Sequence, residues 1–214
     1  FQTTNDSEII AYLIVRERLR APSIEEAVKR ASAYLEGAFS VILMSPQKMI
    51  ALRDSHGFRP LCIGKLKNSF IFSSESCVFR AVGAEFLRDV KPGEIAVVRN
   101  GELFSLDSGI RTRRTSLCAF EFIYFARPDS VIDGLPVDLA RQRMGAHLAD
   151  EHPANADIVI GVPDSGLSAA IGYSKRSGIP YGIGLVKNRY IARAFIQPTQ
   201  NEREASVRLK LSVL

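Results

Sequence analysis

A short polar turn that could bind an anion follows the apolar run ADIVIGV. The turn reads PDSGLSAA and carries Asp164 and Ser165, at the point where a strand is expected to end and a helix to begin. Backbone N–H groups and the helix dipole favour anions there, including a phosphate ester with its metal ion. The pattern therefore indicates an anion site, although Ser165 would equally suit the simpler role of helix N-cap.

A basic segment further along the chain is a second candidate for anion binding. It reads KNRYIARAFIQPTQNERE over residues 187–204, carries Lys187, Arg189 and Arg193, and shows no clean period. Such a segment is either a loop that closes over a polyanion or a solvated surface, and both interpretations stay open. Because like charges repel, we expect these three basic side chains to be exposed or poorly fixed without an anionic ligand.

Histidine and cysteine suggest little further chemistry. His56 lies in the turn RDSHGFRPL, where a lone histidine is more often a surface residue than a catalyst. The three cysteines, Cys62, Cys77 and Cys118, show no CxxC spacing, which argues against a disulfide framework and a self-contained zinc site. We therefore expect a reducing, cytoplasmic setting.

The composition is that of an ordinary globular protein. Of the 214 residues, 46% are hydrophobic and 24% are charged, which excludes disordered and collagen-like classes. The net charge of +5 is modest, so an anionic small substrate fits as well as a nucleic acid does. No apolar run approaches the roughly 20 residues that span a bilayer. We expect neither a nucleic-acid nor a membrane partner.

The first half of the chain combines helices with antiparallel strands. Asn5 or Asp6 can cap a helix in SEIIAYLIVRERLR, and a second helix follows Pro22. The short runs AFSVILMS, MIALRD, PLCIGKL and SFIFSSE then predict antiparallel strands. The pair Asn100 and Gly101 is a strong signal for a hairpin turn. These patterns predict a sheet backed by helices that ends near Arg114.

The second half predicts a parallel α/β arrangement. The aromatic segment CAFEFIYFARPDSVIDG, residues 118–134, is interpreted as a packed strand that crosses between two domains. A helix over residues 137–151, the strand ADIVIGV, a helix over residues 165–177 and the strand start IPYGIG then form a βαβ unit. The expected division is a first domain, a junction and a second domain, covering residues 1–114, 115–136 and 137–214.

Six segments resemble, in order, the amidophosphoribosyltransferases, in particular their Bacillus-like branch. The segments TTNDSEII, RDSHGFRPL, SSESCVF, VKPGE and CAFEFIYFARPDSVIDG resemble the later part of that family's glutaminase domain and its junction. The long run that begins GVPDSGLSAAIGYS and ends QPTQNERE resembles the phosphoribosyltransferase half. The resemblance covers almost the whole chain. It implies the later part of an N-terminal-nucleophile αββα glutaminase sandwich, followed by the start of a phosphoribosyltransferase-type parallel α/β domain.

The resemblance also implies an activity. The family transfers glutamine-derived ammonia to phosphoribosyl pyrophosphate (PRPP), giving 5-phosphoribosylamine, glutamate and pyrophosphate in the first step of de novo purine biosynthesis. It implies a glycosyltransferase with Mg²⁺, with glutamine and PRPP as substrates, with purine nucleotides as feedback inhibitors, and with a homo-oligomeric parent enzyme. The alternative is a noncatalytic PRPP- or nucleotide-sensing module with a phosphoribosyltransferase fold, but such a module would not need the glutaminase segments.

Individual residues take roles from the same resemblance. Asp6 matches the aspartate that holds the α-amino group of glutamine, and Ser165 matches a magnesium-associated hydroxyl of the PRPP site. Lys187, Arg189 and Arg193 fall in the loop that folds over PRPP, where this chain has IARAF in place of the usual VGRTF. That substitution leaves the detailed contacts of the loop open.

Other parts of the family's machinery are expected outside these residues. The nucleophile of the family is an N-terminal cysteine, whereas this sequence starts with Phe1, so no catalytic residue is assigned and these residues alone are expected to be inactive. Cys118 matches one ligand of the family's [4Fe–4S] cluster, while Cys62 and Cys77 match none. A buried apolar thiol is the alternative for Cys118. The acidic pair that binds the PRPP ribose is expected after Leu214.

Overall fold

The computed structural model describes residues 2–110, 114–191 and 196–214. The chain forms two compact units. The first comprises Phe1–Glu121 with Ser130–Gly134, and the second comprises Phe122–Asp129 with Leu135–Leu214. Within the described ranges, no helix is both long and apolar enough to cross a membrane.

The described residues of the first unit form three α-helices: α1 (Ser7–Arg18), α2 (Ile24–Ser32) and α3 (Cys77–Val82). The α1 helix starts after Asp6, whose side chain makes no capping hydrogen bond. Asn5 fixes this end instead, because its side-chain oxygen accepts a hydrogen bond from the Ser7 amide at 2.9 Å. The two helices predicted at the start of the chain are therefore confirmed.

Seven strands in the described part of the first unit form two antiparallel sheets. One sheet has the order β1-β2-β6-β7, with β1 (Ser40–Met44), β2 (Lys48–Arg53), β6 (Glu94–Arg99) and β7 (Glu102–Asp107). The other has the order β4-β3-β5, with β3 (Cys62–Leu66), β4 (Ser69–Ser73) and β5 (Glu85–Asp89). The predicted hairpin joins β6 to β7, and the φ angles of Asn100 and Gly101 are 54° and 78°. Two positive φ values are what the favoured two-residue hairpin turn requires.

Alternating side chains of the first sheet supply two cores. On one face, Ile50 and Ile95 pack with the buried side of α1 and α2. On the other face, Ala51 packs with Ile63 of the second sheet. The far side of that second sheet carries α3, because Gly64 lets the Phe79 ring lie against the strand where a Cβ would meet it at 2.4 Å. The layer order is therefore helix, sheet, sheet, helix, as the glutaminase resemblance implies. A further short strand, β8 (Val131–Ile132), also belongs to this unit.

The second unit contains the predicted βαβ arrangement. Its elements are β9 (Leu135–Pro136), α4 (Val137–Glu151), β10 (Val159–Ile160), α5 (Leu167–Ser177), β11 (Tyr181–Gly182), β12 (Leu185–Lys187), α6 (Gln200–Lys210) and β13 (Leu211–Val213). The strands β10 and β11 pair in parallel, and β12 and β13 pair antiparallel. The helices α4 and α5 meet at backbone distance. A Cβ on Gly145 would lie 1.9 Å from the Ala169 carbonyl oxygen, and a Cβ on Gly172 would lie 1.9 Å from that of Gln142.

The packed strand predicted over residues 118–134 is wrong. Glu121–Phe125 form a single π-helical turn instead. The reason lies in α4, where the buried guanidinium of Arg141 donates hydrogen bonds to the carbonyl oxygens of Phe122 and Ala126. These carbonyls are therefore engaged by a side chain rather than by a strand ladder.

Candidate substrate-binding sites

Asp6 lies at a cleft of the first unit. The cleft has a volume of about 540 Å³ and is lined by the first turns of α1 and by residues 38–43. Asp6 is exposed, and its carboxylate is not used to cap α1. The neighbouring Glu8 is engaged, because it accepts hydrogen bonds from the Gln2 and Thr3 amides at 2.7 and 2.9 Å. These backbone bonds lower the pKa of Glu8. Asp6 therefore presents a carboxylate that can pair with an ammonium group.

The RDSHGFRPL turn is a structural element. The Asp54 carboxylate is buried and accepts hydrogen bonds from the amides of His56 and Phe58 at 3.0 and 3.1 Å. The His56 ring is half-buried and stacks on Phe58 with 4.9 Å between centroids. Asp54 therefore shapes the turn, and His56 packs on Phe58 instead of lying fully exposed as a surface residue.

The buried Arg53 holds this turn and a distant segment together. Its guanidinium donates to the carbonyl oxygens of Arg59, Val90 and Gly57 at 2.8 to 3.0 Å. It also donates two hydrogen bonds to the Asp133 carboxylate at 2.9 and 3.0 Å. This fork–fork geometry makes the pair directional. Residues 130–134 are thereby fixed on the first unit.

Burial raises the pKa of two carboxyl groups in the first unit. Burial and the nearby charge of Asp133 raise the pKa of Asp89 to about 6, against the opposing effect of Arg53. Burial likewise raises the pKa of Glu121, whose carboxylate lies 2.9 Å from the Arg59 guanidinium. These groups sit in the scaffold of the first unit.

The cysteines do not assemble a metal site within the described part of the chain. There, no cluster of three or more His, Cys, Asp or Glu side chains could hold a metal ion. Burial raises the pKa of Cys62 to about 12, and its thiol donates to the Ser73 carbonyl. Cys77 is also buried, whereas Cys118 is partly exposed. The described residues therefore do not fit a four-thiolate cluster, and Cys118 is the thiol that is most open to an external partner.

The polar turn of the second unit connects β10 to α5 through tightly packed backbone. A Cβ on Gly161 would lie 2.9 Å from the Leu167 Cα, and a Cβ on Gly166 would lie 2.8 Å from the Val162 carbonyl oxygen. The peptide between Pro163 and Asp164 is cis. These contacts require glycine at both positions and fix the course of the turn.

Ser165 is not the N-cap of α5. The helix starts at Leu167, and Gly166 occupies the N-cap position without a side-chain hydrogen bond. The simpler role considered for Ser165 is therefore wrong. Its hydroxyl group, on a half-buried residue, stands one residue before the cap. Ser168, in the first turn of the helix, is engaged elsewhere and donates to Asp138 at 2.6 Å.

The basic segment approaches this turn through Lys187. Lys187 ends β12, where it pairs with Leu211 of β13, and its ammonium group contacts the Asp164 carboxylate. Arg189 is exposed as predicted, whereas Arg193 lies outside the described residues. The prediction that Lys187 is exposed or poorly fixed without an anionic ligand is wrong, because its side chain is only 27% exposed and contacts the Asp164 carboxylate.

Sequence reasoning missed both the Asp164–Lys187 pair and helix α6. The pair joins segments 23 residues apart, and the available signal was topological, since both follow strand runs that could end at one edge of a sheet. The helix begins with a full capping box between Thr199 and Glu202. The spacing T-x-x-E was therefore the local signal that could have revealed it.

Comparisons with known proteins agree along the whole chain. Residues 1–81 match the family model described as a glutamine amidotransferase domain. The chain is 47% identical over 226 residues to the amidophosphoribosyltransferase of Methanocaldococcus jannaschii, covering 99% of this chain and 48% of that protein. It is 44% identical over 214 residues to the Bacillus subtilis amidophosphoribosyltransferase, covering 100% of this chain and 44% of that protein.

A solved structure gives the same result. The Bacillus subtilis glutamine PRPP amidotransferase, complexed with ADP and GMP, matches with a TM-score of 0.89 at 44% identity, covering 100% of this chain and 46% of that chain. A second structure, described as the allosteric regulatory enzyme of purine biosynthesis, matches with the same TM-score and identity. The chain spans about half the length of the curated relatives it matches. The layered first unit and the βαβ second unit agree with this similarity, which extends along the whole chain. The chain therefore belongs to the amidophosphoribosyltransferase family.

Proposed function

We propose that this chain takes part in the transfer of glutamine-derived ammonia to PRPP, which yields 5-phosphoribosylamine, glutamate and pyrophosphate. The observation that carries the proposal is the meeting of Lys187 with the Asp164–Ser165 turn at the carboxyl end of β10. In an open parallel α/β sheet, ligands bind at this end of the strands. The domain division 1–114, 115–136 and 137–214 remains part of the proposal.

The second unit would bind the diphosphate of PRPP. Lys187 would hold it as a point charge, with Arg189 and Arg193 adding donors from the same segment. The Ser165 hydroxyl would orient a magnesium ion, which, when bound, neutralises the negative charge of the leaving pyrophosphate. The chain's own contribution is thus to bind and orient the leaving group.

The first unit would bind glutamine through Asp6. An exposed carboxylate at the mouth of the cleft can hold the α-ammonium group of an amino acid and so fix its orientation. In the same cleft, Ile10 and Ile14 of α1 face Phe39 and Val41. The apolar walls would reduce the solvent around that ion pair and strengthen it.

Regulation and assembly extend the proposal. The bound ADP and GMP in the Bacillus subtilis structure support purine nucleotides as feedback inhibitors of this protein as well. A homo-oligomeric, cytoplasmic enzyme remains a prediction. We further infer that Cys118, rather than the buried Cys62 or Cys77, is the thiol available to an iron–sulfur cluster, whose remaining ligands would have to come from outside the described residues.

The test is a chimera in which these 214 residues replace the matching segment of the Bacillus subtilis enzyme. The folded chimera should form phosphoribosylamine from glutamine and PRPP. Lys187→Ala should raise the KM for PRPP about tenfold or more, since hydrogen bonds to charged groups contribute about 1.5–3 kcal/mol, and should leave the KM for glutamine unchanged. Lys175→Ala is the matched control, because Lys175 is exposed and donates a hydrogen bond to the Gln142 side chain in the same unit. A folded chimera that forms no product would refute the proposal.

Asp6 has a separate readout in the same chimera. Asp6→Asn should raise the KM for glutamine, because the amide cannot neutralise the substrate ammonium group. Synthesis from added ammonium chloride should be spared, since that route bypasses glutamine. Equal loss of both activities would show that Asp6 supports the fold rather than the binding of glutamine.

A further inference from the structure

An ion pair in the second unit occupies the lysine that the proposed function assigns to PRPP. The Lys187 ammonium contacts the Asp164 carboxylate, and the exposed fractions of the two side chains are 27% and 61%. The contact joins β12 to the turn that precedes α5. Lys187 therefore has a negatively charged partner before any ligand binds.

The backbone on each side of this contact is held in place. Lys187 pairs with Leu211 in the β12–β13 ladder, and the next amide, that of Asn188, donates to the Lys210 carbonyl at 2.8 Å. Asp164 lies in the tightly packed turn, where its carbonyl accepts from the Leu167 amide at 3.3 Å. Because the carboxylate is solvent-exposed, the pair can separate by side-chain rotation alone.

We propose that Asp164 is an internal competitor for Lys187 that sets the affinity of this site for diphosphates. The inference rests on the proposed function, since it takes Lys187 to be a ligand of the diphosphate. A diphosphate that engages the ammonium group must first displace the Asp164 carboxylate, so its measured affinity is reduced by the stability of the internal pair. The carboxylate thus acts as a stand-in for the ligand.

The expected gain in diphosphate affinity follows from the solvent exposure of the Asp164–Lys187 pair. Solvent-exposed ion pairs are weak, so removing this one should tighten diphosphate binding by about two- to fivefold. The effect should shrink at high salt, because salt screens both the internal pair and the ligand contact. A modest factor is enough to measure by titration.

The experiment is an NMR titration of the ¹⁵N-labelled 214-residue chain with inorganic pyrophosphate, with and without MgCl₂. The amide signals of Ser165 and Lys187 report binding. Asp164→Asn should bind pyrophosphate two- to fivefold more tightly than the parent chain. The matched control is Asp150→Asn, which removes a carboxylate from the exposed pair with Arg176 in the same unit and should change nothing.

A second pair of variants separates competition from simple charge repulsion. Pyrophosphate binding by the double variant Asp164→Asn/Lys187→Ala is compared with binding by Lys187→Ala alone. Where binding is weak, the initial slopes of the two titrations are compared. If Asp164 acts by occupying Lys187, its removal then has no effect. If the gain persists without Lys187, general repulsion explains it and the inference is overturned.

The remaining outcomes are also decisive. Weaker binding by Asp164→Asn would mean that the carboxylate contacts the ligand or its magnesium ion, which contradicts competition. Equal binding by the parent chain and Asp164→Asn would overturn the inference and leave the proposed function standing. Absence of binding in the parent chain and in every variant would overturn the proposed function together with the inference.

Discussion

The Arg53–Asp133 pair offers the sharpest test of what holds the first unit together. Arg53 is 1% exposed, whereas the Asp133 side chain is 40% exposed. We expect Asp133→Asn to lower the free energy of unfolding. The change removes the negative charge and one acceptor oxygen. Asn also tolerates the positive φ of 45° at this position, so backbone strain does not confuse the result.

The expected loss of unfolding free energy in Asp133→Asn lies between two limits. Breaking a fully buried ion pair costs about 3–5 kcal/mol, and breaking an exposed pair costs about 0–1 kcal/mol. The half-exposed carboxylate and the three carbonyl partners that remain on Arg53 place Asp133→Asn near the middle, at about 2 kcal/mol. The matched control in the same unit is Glu26→Gln, which breaks an exposed pair with Arg30 and should cost less than about 1 kcal/mol.

The assay is urea denaturation followed by NMR. Because the chain has two units, signals from β2 and β6 are followed so that the transition belongs to the first unit. A second readout is the pKa of Asp89, which should fall in Asp133→Asn because the neighbouring negative charge is removed. If Asp133→Asn costs no more than Glu26→Gln, the backbone carbonyls alone satisfy Arg53 and the reasoning is refuted.

Three further outcomes are expected. Burial and a neighbouring carboxylate raise the pKa of Asp89 to about 6 from 3.8, so its contribution to stability is present below about pH 4 and is lost as the pH rises through about 6. The urea midpoint of the parent chain should therefore fall across this pH range, and the midpoint of Asp89→Asn should not show this fall. The same fall in both proteins would exclude Asp89 as its source. Gly145→Ala should destabilise the second unit by about 1–3 kcal/mol in thermal unfolding, because the new Cβ meets the Ala169 carbonyl oxygen. A neutral result would contradict the close packing of the two helices. Iodoacetamide should label the partly exposed Cys118 well before Cys62, whose pKa of about 12 leaves little thiolate, and mass spectrometry after short exposures will show the order; equal labelling would show that Cys62 is not buried.

The elements that were predicted from sequence are those with local signals. The bounds predicted for the helix Val137–Glu151 match the structure, in which Pro136 occupies the N-cap position. The Asn100–Gly101 hairpin and the parallel pairing of β10 with β11 also agree. The helix and the hairpin are determined by adjacent residues, whereas the parallel pairing follows from the strand–helix–strand order of the segment.

The features that escaped prediction depend on distant residues. The aromatic run at Glu121–Phe125 is as hydrophobic as a strand, and only Arg141 of α4 explains why it forms a π-helical turn. The two ion pairs that matter most, Arg53 with Asp133 and Lys187 with Asp164, join residues 80 and 23 positions apart. Single-sequence periodicity carries no record of such partners.

The backbone contact between α4 and α5 has a consequence for how ligand binding distributes its entropy cost. At Gly145 and Gly172 the backbones of the two helices are in close contact, so α5 gives a firm support to the turn that precedes it. The β12–β13 ribbon is joined to this turn through an exposed ion pair, and it is therefore the less firmly held side of the site. Substrates that use this site would thus lose conformational freedom mainly in the ribbon. If a diphosphate binds at this turn as proposed, variation in the ribbon would change how long it stays bound, while the turn itself would keep its conformation.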